Sequence, residues 1–456
     1  MPARAGQTAS EARAIDAEHV SESSAAPAAD GAGARTRVAL QARNLRRYAF
    51  VPFYPLVWPL AYLMPRRRGL WAFAYAHGFK DNPRYLFEHV VAAAPRGVRA
   101  VWFAQGPAER DQVQAAGFDA VNKRSPKGWW LQLRAGTVVL GFGPSDLNRP
   151  LVGRATIVQT WHGAPFKRIH ADFPEGDKLI PGTGRLIGLV NDLARRATNA
   201  TRSRVRMIPS QSELVASRFQ TAFGIGPDRT PVVGTPRADI TGRTGPEAEA
   251  EAARVRRAAL PPELGDTAKF VLYAPTWRDG SSEAFLADGF DLPALEALLE
   301  AHDAALLIRM HPQGDTEVFA RAGAGGGKRV VLGRPADLDV NVLLRAVDIL
   351  ITDYSAISVD YALLGRPILY LMPDLEDYER GRGMYESPAL LTGGLHCRNW
   401  TELHELLAQA FVDPAPFVAA AEGVRSRYFT HLDTESCART TKVMLELAGL
   451  TGGGRS

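Results

Sequence analysis

The sequence has few cysteines, and the motifs of several large enzyme classes do not occur in it. Only Cys397 and Cys437 are present among 456 residues, and their spacing fits neither a CxxC metal site nor a disulfide framework. We therefore expect two buried, unreactive thiols in a reducing compartment. The motifs HExxH, GxSxG and GxGxxG do not occur. Their absence argues against a zinc peptidase, a hydrolase with a nucleophile elbow and a simple NAD-dependent enzyme.

Acidic residues are missing from the stretch between Arg35 and Arg68, which contains eight arginines. These arginines exceed the whole excess charge of +5 in the chain, so the basic character is local and does not indicate a nucleic-acid partner. The stretch also holds an apolar, aromatic run at 48–65, which is interrupted by prolines and is shorter than the roughly 20 residues of a membrane-spanning helix. Arginines beside aromatic residues are typical of an anionic bilayer surface. We interpret 45–68 as a membrane-interface segment, and packing on the protein's own core is the alternative.

The remaining pattern divides the chain into a tail and two lobes. Residues 1–44 are rich in Ala, Ser, Gly and Arg without apolar periodicity, as in a disordered tail. From Gly69 onward, short apolar runs alternate with helical spacing, which indicates parallel sheets covered by helices on both faces. The length favours two cores, so we place an N-terminal lobe at 69–239 and a C-terminal lobe at 240–450. The predicted strands are Val101–Ala104, Val138–Phe142, Ala155–Thr160, Val205–Ile208, Pro231–Val233, Phe270–Ala274, Ala305–Arg309, Arg329–Leu332, Asp348–Thr352 and Pro367–Leu371.

In open α/β sheets, ligands bind beyond the carboxyl ends of the strands, and His162 follows one of the predicted strands. Gly163 comes next and Lys167 shortly after. An imidazole has an ordinary pKa of ~6.5 and can take a proton from an alcohol near neutral pH, while glycine permits close approach of a ligand. The sequence therefore predicts a reactive histidine, and the alternative is a histidine hydrogen-bonded in the core.

The second half carries polar residues at equivalent places. Thr276 and Arg278 follow one predicted strand, and Arg309 and His311 lie at the end of the next. Hydroxyl, guanidinium and imidazole groups can all bind phosphate oxygens. These residues are therefore candidates for binding a phosphorylated ligand.

Asp353 and Ser355 lie between a buried predicted strand and a helix predicted at 356–364. The Ser355 hydroxyl and the free backbone N–H groups at a helix start would face an anion there. This placement predicts a phosphate site, and helix capping by the same two side chains is the alternative.

Two apparent motifs are given no function. Residues 323–328 look like a phosphate loop, but no Ser or Thr follows them and they precede a strand. Asp337 and Asp339 resemble a metal-binding pair, yet helix capping explains them equally well. No metal-ligand set and no cofactor motif is evident, and a requirement for a divalent metal is left open.

Several of these segments together resemble a known family. Trp161–Lys167, with the sequence WHGAPFK, is similar to the WHGTPLK segment of the CDP-glycerol glycerophosphotransferase family of teichoic-acid primases and polymerases. Ala164 departs from that pattern, in which Thr is common, and Ala356-Ile357 stands where the family often has a second Ser. The other similar segments, in the family's order, are Asp81–Phe87, Gly234–Asp239, Tyr273–Arg278, Arg309–Pro312, Thr352–Ala356, Asp360–Leu364 and Asp374–Tyr378.

The resemblance implies a GT-B-type α/β fold, in which two Rossmann-like lobes with mainly parallel sheets face each other across a cleft. It also implies that a glycerol-phosphate or related alditol-phosphate unit passes from CDP-glycerol to a lipid-linked acceptor, with release of CMP. The product would be teichoic acid or a related cell-envelope polymer, made by a peripheral protein at the cytoplasmic face of the cell membrane. Carried over onto this chain, the resemblance makes His162 the base and His311 a group that binds the donor phosphates. The donor site would be lined by Thr276, Arg278, Arg309, Asp353 and Ser355, with Gly163, Lys167 and Asp81 on the acceptor side.

Two other functions are compatible with the same pattern. One is a GT-B glycosyltransferase that uses a nucleotide sugar for capsule or glycolipid synthesis, because one fold can host both chemistries. The other is a non-catalytic, nucleotide-binding membrane adaptor. A donor screen separates the three, since each predicts turnover with a different donor or with none.

Overall fold

The computed structural model describes residues 59, 61–173, 184–185, 187–189, 191–192, 196, 202–264, 268–276, 289–310, 319–320, 327–333, 338–376 and 383–451. The tail at 1–44 and most of the interface segment 45–68 lie outside these ranges, as do Arg278, His311 and Asp337. Within the ranges, no helix is both long enough and apolar enough to cross a membrane.

The first sheet contains six strands, all parallel to their neighbours, in the order β3-β2-β1-β4-β5-β6. These strands are β1 (Arg67–Ala74), β2 (Arg99–Ala104), β3 (Ala120–Asn122), β4 (Ala135–Leu140), β5 (Thr156–Gln159) and β6 (Val205–Met207). The helices of this part are α1 (Asp81–Ala93), α2 (Pro107–Ala115), α3 (Pro126–Arg134) and α4 (Glu213–Phe223). Because helices cover both faces of a parallel sheet, its strands are buried on both sides, as at 70–74.

The second sheet repeats this arrangement with the parallel order β12-β11-β10-β7-β8-β9. Its strands are β7 (Lys269–Tyr273), β8 (Ala304–Ile308), β9 (Val330–Leu332), β10 (Ile349–Thr352), β11 (Ile368–Leu371) and β12 (His396–Cys397). The later helices are α5 (Pro236–Thr241), α6 (Pro246–Ala259), α7 (Leu292–Ala301), α8 (Val340–Ala346), α9 (Ile357–Ala362), α10 (Pro388–Thr392), α11 (Trp400–Val412), α12 (Ala415–Tyr428) and α13 (Ser436–Ala448).

Each sheet grows outward in both directions from a central pair of strands, β1 and β4 in the first and β7 and β10 in the second. Such a reversal of strand order opens a crevice at the carboxyl ends, where ligands of doubly wound sheets bind. The predicted fold of two Rossmann-like lobes built on parallel sheets is therefore confirmed.

Nine of the ten predicted strands are present, with bounds that differ by one to three residues. The tenth, at 231–233, is only an isolated bridge between Ser210 and Val232. Three strands were not predicted. β3 and β12 contain three and two residues, too few for a period of two to show. β1 begins with two arginines, which hid it within the basic segment.

The end of the predicted interface segment belongs to the first lobe. Arg67 and Arg68 open β1, and the Arg66 guanidinium donates to the backbone oxygens of Gln132 at 2.7 Å and Leu151 at 3.1 Å. Ala61 is fully buried. Ala61 and the Arg66 guanidinium therefore pack on the lobe, whereas Leu63, Arg67 and Arg68 are exposed. The interpretation of 45–68 as a membrane-interface segment stays a prediction.

The last helix, α13, packs on the first sheet although it follows the whole second lobe in sequence. Cys437, Met444 and Ala448 join the apolar cluster that covers one face of β1, around Trp71. The Asp239 carboxylate accepts from the first two backbone N–H groups of α13, at 2.8 and 2.7 Å. A single boundary at 239/240 therefore does not describe the packing of 436–448. Both cysteines are free and buried, and burial raises the pKa of each thiol, as expected of unreactive groups.

Candidate active site

Asn82, at the start of α1, joins three segments at the carboxyl edge of the first sheet. Its side chain is buried, and the amide nitrogen donates to the backbone oxygens of Trp161 at 3.0 Å and Thr160 at 3.3 Å. Its amide oxygen accepts from the Arg237 backbone N–H at 2.8 Å. The start of α1, the loop after β5 and the start of α5 are therefore held in one place.

The backbone in these loops adopts conformations that are uncommon for residues with side chains. Asp81 and Trp161 have φ values of 64° and 57°, in the left-handed region that costs of order 1–3 kcal/mol at a functional site. Gly163 has φ 152°, and a Cβ atom added there would lie 3.3 Å from the Cβ of Ala356. This close approach sets His162-Gly163 of the first lobe directly against the start of α9 in the second.

Arg237 lies behind this contact and pairs with a carboxylate from each lobe. Its guanidinium is 2.6 Å from Asp81 and 2.6 Å from Asp360, and all three side chains are largely buried. Burial opposes the charge on the guanidinium, but the two carboxylates outweigh burial and raise the pKa of Arg237. The resulting Asp81–Arg237–Asp360 cluster fixes the lobes to each other beneath His162.

His162 is a largely buried imidazole in an aromatic setting. Its ring stacks on Phe142 with centroids 5.4 Å apart and lies 4.4 Å from the Trp161 ring. Burial lowers the pKa of His162 to about 4, with the positive charge of Arg237 acting in the same direction and Asp81 opposing it. The imidazole is therefore neutral at pH 7 and able to accept a proton.

On the second lobe, Asp353 ties together the ends of the two central strands. Its carboxylate accepts from the Thr276 backbone N–H at 2.8 Å and from the Thr276 hydroxyl at 2.6 Å. The Thr352 hydroxyl donates to the backbone oxygen of Ala274 at 2.7 Å. These bonds hold the loop that leads into Ser355 at the point where strand order reverses.

Ser355 lies two residues before α9, which begins at Ile357 rather than at the predicted position 356. The Ser355 hydroxyl accepts only a long hydrogen bond, 3.5 Å, from the Ile357 backbone N–H. The residue is half-buried and adjoins Ala356, the residue in contact with Gly163. The structure thus brings His162 and Ser355 to the same contact between the lobes.

Arg309 lies at the end of β8, beside the central pair of strands. Its guanidinium makes one long bond, 3.5 Å, to the backbone oxygen of Leu338. Burial lowers the pKa of Arg309, and Asp339 opposes that effect. Arg309 therefore places a positive charge at the carboxyl edge of the second sheet, as the sequence predicted.

Asp339 caps α8, where its side chain accepts from the Asn341 backbone N–H at 3.0 Å. It also accepts from the Tyr85 hydroxyl at 2.5 Å, which makes a second polar link between the lobes. Among the described residues, no group of three His, Cys, Asp or Glu side chains is placed to hold a metal ion. Asp339 is therefore a helix cap and a link between the lobes, while its partner in the sequence pair, Asp337, lies outside the described residues.

Lys167 takes part in a further contact between the lobes. It forms an antiparallel bridge with Met384, and the Tyr385 backbone N–H donates to the Phe166 oxygen at 3.2 Å. The segment that follows the His162 loop is therefore paired with the second lobe, which restrains the loop from both ends.

Sequence reasoning did not assign a role to Asn82, Arg237, Asp360 or Tyr85. All four lie within segments that carried the family resemblance, and this was the only signal for them. Their roles depend on partners from 78 to 256 residues away. Only the tertiary structure brings such partners together.

Two lobes of parallel sheet that meet at their carboxyl edges place the chain in the GT-B fold class. A model of the family described as CDP-glycerol:poly(glycerophosphate) glycerophosphotransferase matches residues 57–446. The chain belongs to this family, which confirms the resemblance and the prediction of a glycerophosphotransferase over a nucleotide-sugar enzyme.

Individual relatives agree with this assignment, and a solved structure shares the fold. A teichoic acid poly(glycerol phosphate) polymerase of Staphylococcus epidermidis is 27% identical over 316 residues, which cover 67% of this chain and 40% of that protein. A polymerase of the same description from Bacillus spizizenii is 27% identical over 362 residues, covering 77% and 85%. A solved structure of the wall teichoic acid polymerase TagF has a TM-score of 0.69 at 22% identity, covering 90% and 98%. Another structure of TagF was soaked with CDPG.

Proposed function

We propose that this chain transfers a glycerol-phosphate unit from CDP-glycerol to a hydroxyl of a lipid-linked acceptor at the cytoplasmic face of the membrane, to which it attaches peripherally. The observation that carries the proposal is the contact between Gly163 and Ala356. It sets a neutral histidine of one lobe beside a serine at a helix start of the other. A base and a phosphate-binding edge in one place are the two parts that phosphoryl transfer to an alcohol requires.

In the proposed reaction, the acceptor hydroxyl gives its proton to His162 as its oxygen attacks the phosphorus that bears glycerol. The bond between that phosphorus and the bridging oxygen of the pyrophosphate breaks, and CMP leaves with the electron pair. Ser355 and Arg309 would hold the pyrophosphate, together with Arg278 and His311 from outside the described residues, while the bond between Thr276 and Asp353 would shape the loop around it. Catalysis then consists of positioning and of neutralising charge on the phosphoryl oxygens.

Product analysis tests the activity itself. The chain is incubated with CDP-glycerol and a lipid-linked acceptor, and the products are identified by mass spectrometry. The expected result is CMP and an acceptor longer by one or more glycerol-phosphate units. Transfer from a UDP- or GDP-sugar in place of CDP-glycerol would establish the glycosyltransferase alternative, and CMP binding without turnover of any donor would establish the adaptor.

A negative charge at Ser355 is expected to weaken CMP binding. In the Ser355→Glu variant a carboxylate would face the phosphate of the ligand, and this repulsion should reduce the affinity by roughly a hundredfold or more. Isothermal calorimetry with CMP measures the change. The matched control is Ser426→Glu, which adds the same charge on an exposed part of α12 and should leave the affinity unchanged. Equal affinities in the two folded variants would remove Ser355 from the donor site.

The pH dependence of kcat/KM should report the low pKa of His162. The neutral imidazole is the reactive form, and it is protonated in the free enzyme only near pH 4. The rate constant should therefore stay level from pH 7 down to about 5 and fall below that, whereas an ordinary histidine would halve it near ~6.5. Rates at subsaturating CDP-glycerol give the profile. The contrary result is a fall of kcat/KM in the parent near the ordinary histidine pKa that the His162→Gln variant lacks. It would show that the buried environment does not set the pKa of His162.

A further inference from the structure

A cavity of about 250 Å³ lies at the end of the first lobe opposite to the active site. Its lining includes Arg67 and Leu70 from the start of β1, Arg99 from the start of β2, and Trp130 and Arg134 from α3. Strands β1 and β2 begin at this cavity and end at the carboxyl edge of the sheet, where His162 lies. Since β1 contains eight residues at roughly 3.3 Å each, the two ends of the lobe are roughly 25 Å apart.

Large apolar side chains are exposed around this cavity. Helix α3 turns Gly128, Leu131 and Gln132 toward the protein, and it leaves Trp129 and Trp130 exposed by 49% and 54%. Leu63, which precedes β1, is 82% exposed. Two adjacent tryptophans with this exposure stay in contact with water unless another molecule covers them. An exposed apolar patch of this kind is typical of an interaction surface.

Among the described residues that line this cavity, three are arginines and none is acidic. Burial lowers the pKa of Arg66 to about 10, and the positive charges of Arg204, Arg134 and Arg154 act in the same direction. In the part of the chain that the structure describes, only Arg99 of the arginines in the cavity lining forms an ion pair, with Asp119 at 2.7 Å. The Arg134 guanidinium lies 5.8 Å from the centroid of the Trp130 ring. Cations beside exposed indoles match the chemistry of an anionic bilayer surface.

We propose that this end of the first lobe, formed by Leu63, Arg67, Trp129, Trp130 and Arg134, is a docking surface for an anionic phospholipid bilayer. The proposal rests on the membrane attachment proposed above, and it assigns that attachment to the folded lobe. The described end of the predicted interface segment lies at this end of the lobe, because the Arg66 guanidinium donates to the backbone oxygens of Ala61 at 2.9 Å and Gln132 at 2.7 Å. The tryptophans enter the headgroup region, and the arginines bind lipid phosphates.

Vesicle binding by the full-length chain tests the proposal. Vesicles of equal parts phosphatidylglycerol and phosphatidylcholine are compared with vesicles of phosphatidylcholine alone in a sedimentation assay. The Trp129→Ala/Trp130→Ala variant should bind the anionic vesicles roughly tenfold or more weakly than the parent. Arg67→Gln should bind about fivefold more weakly, the effect of one charge near the surface. The controls Leu432→Ala and Arg398→Gln, at exposed positions of the second half, should bind like the parent.

Other measurements separate this proposal from its competitors and from the proposed activity. Melting temperature and light scattering of the tryptophan variant should equal those of the parent. A lower melting temperature of the tryptophan variant would mean that the chain itself covers the surface. Loss of a dimer in this variant would mean that a second copy of the chain covers it. Either result overturns the proposal, and so does vesicle binding equal to that of the parent in both tested variants. Release of CMP from CDP-glycerol with a water-soluble acceptor should be unchanged. A chain that binds vesicles through Trp129 and Trp130 but transfers nothing would retain this surface and lose the proposed function.

Discussion

Replacing His162 with alanine is expected to lower kcat by about 10²–10⁴-fold, the usual cost of losing a positioned general base. The affinity for CMP should stay nearly the same, because the nucleotide is assigned to the second lobe. His162 accepts a proton in the proposed reaction and is not needed to hold the donor. Steady-state kinetics with CDP-glycerol, together with calorimetry with CMP, measure the two quantities separately.

Two further histidine variants give this experiment its reference points. His302 stacks on Phe411 next to the amino end of β8, away from the carboxyl edge, so His302→Ala should keep both rate and affinity. His311→Ala should lose donor affinity as well as rate, because His311 is assigned to the phosphates. If His162→Ala turns over normally at saturating CDP-glycerol but binds CMP much more weakly, His162 binds the donor and His311 is the base. Full activity under all conditions would show that His162 is not the base.

Replacing Arg237 with leucine is expected to destabilise the protein by about 3–5 kcal/mol. The substitution leaves Asp81 and Asp360 buried without the cation that binds both, and an uncompensated buried charge carries a cost of this size. Urea unfolding at neutral pH measures the loss. Arg99→Leu removes an ion pair of similar length, 2.7 Å, whose side chains are 53% and 40% exposed, and it should cost no more than about 1 kcal/mol.

A triple variant shows whether the carboxylates cause the loss. Changing Asp81 and Asp360 to asparagine in the Arg237→Leu background removes both buried charges. It should therefore recover part of the stability that the single variant lost, since the penalty comes from unpaired charge and not from the missing guanidinium alone. A triple variant less stable than Arg237→Leu, or a single variant that loses no more than Arg99→Leu, would contradict this account of the cluster.

The strands of both sheets were predicted well because buried parallel strands have a recognisable sequence pattern. Each such strand is a short apolar run bounded by polar or Gly/Pro residues, and β8 at 304–308 is fully buried along its length. The carboxyl ends of the strands then predicted His162 and Ser355 as site residues. Their neighbours Gly163 and Ala356 approach each other closely because Gly163 lacks a side chain, a detail that no local pattern contains.

What the sequence did not predict depends on contacts between distant segments. Asn82 reads as an ordinary residue at a helix start, yet it bonds to residues 79 and 155 positions away. Arg237 lies in a segment that carries the family resemblance, but nothing in the sequence indicated the two buried carboxylates that it pairs with. The first strand was missed for a different reason: its opening arginines continue a basic segment, and composition alone does not show where that segment ends and the fold begins.

The return of α13 to the first sheet has a consequence for synthesis of the chain on the ribosome. The apolar face around Trp71 is completed by residues as late as Met444 and Ala448. The packing of the lobe that is translated first is therefore completed by residues that are translated after all described strands of the second lobe. A premature stop before 436 would leave all twelve described strands in the chain. It would nevertheless expose the apolar face of the first sheet around Trp71, in the lobe that is translated first.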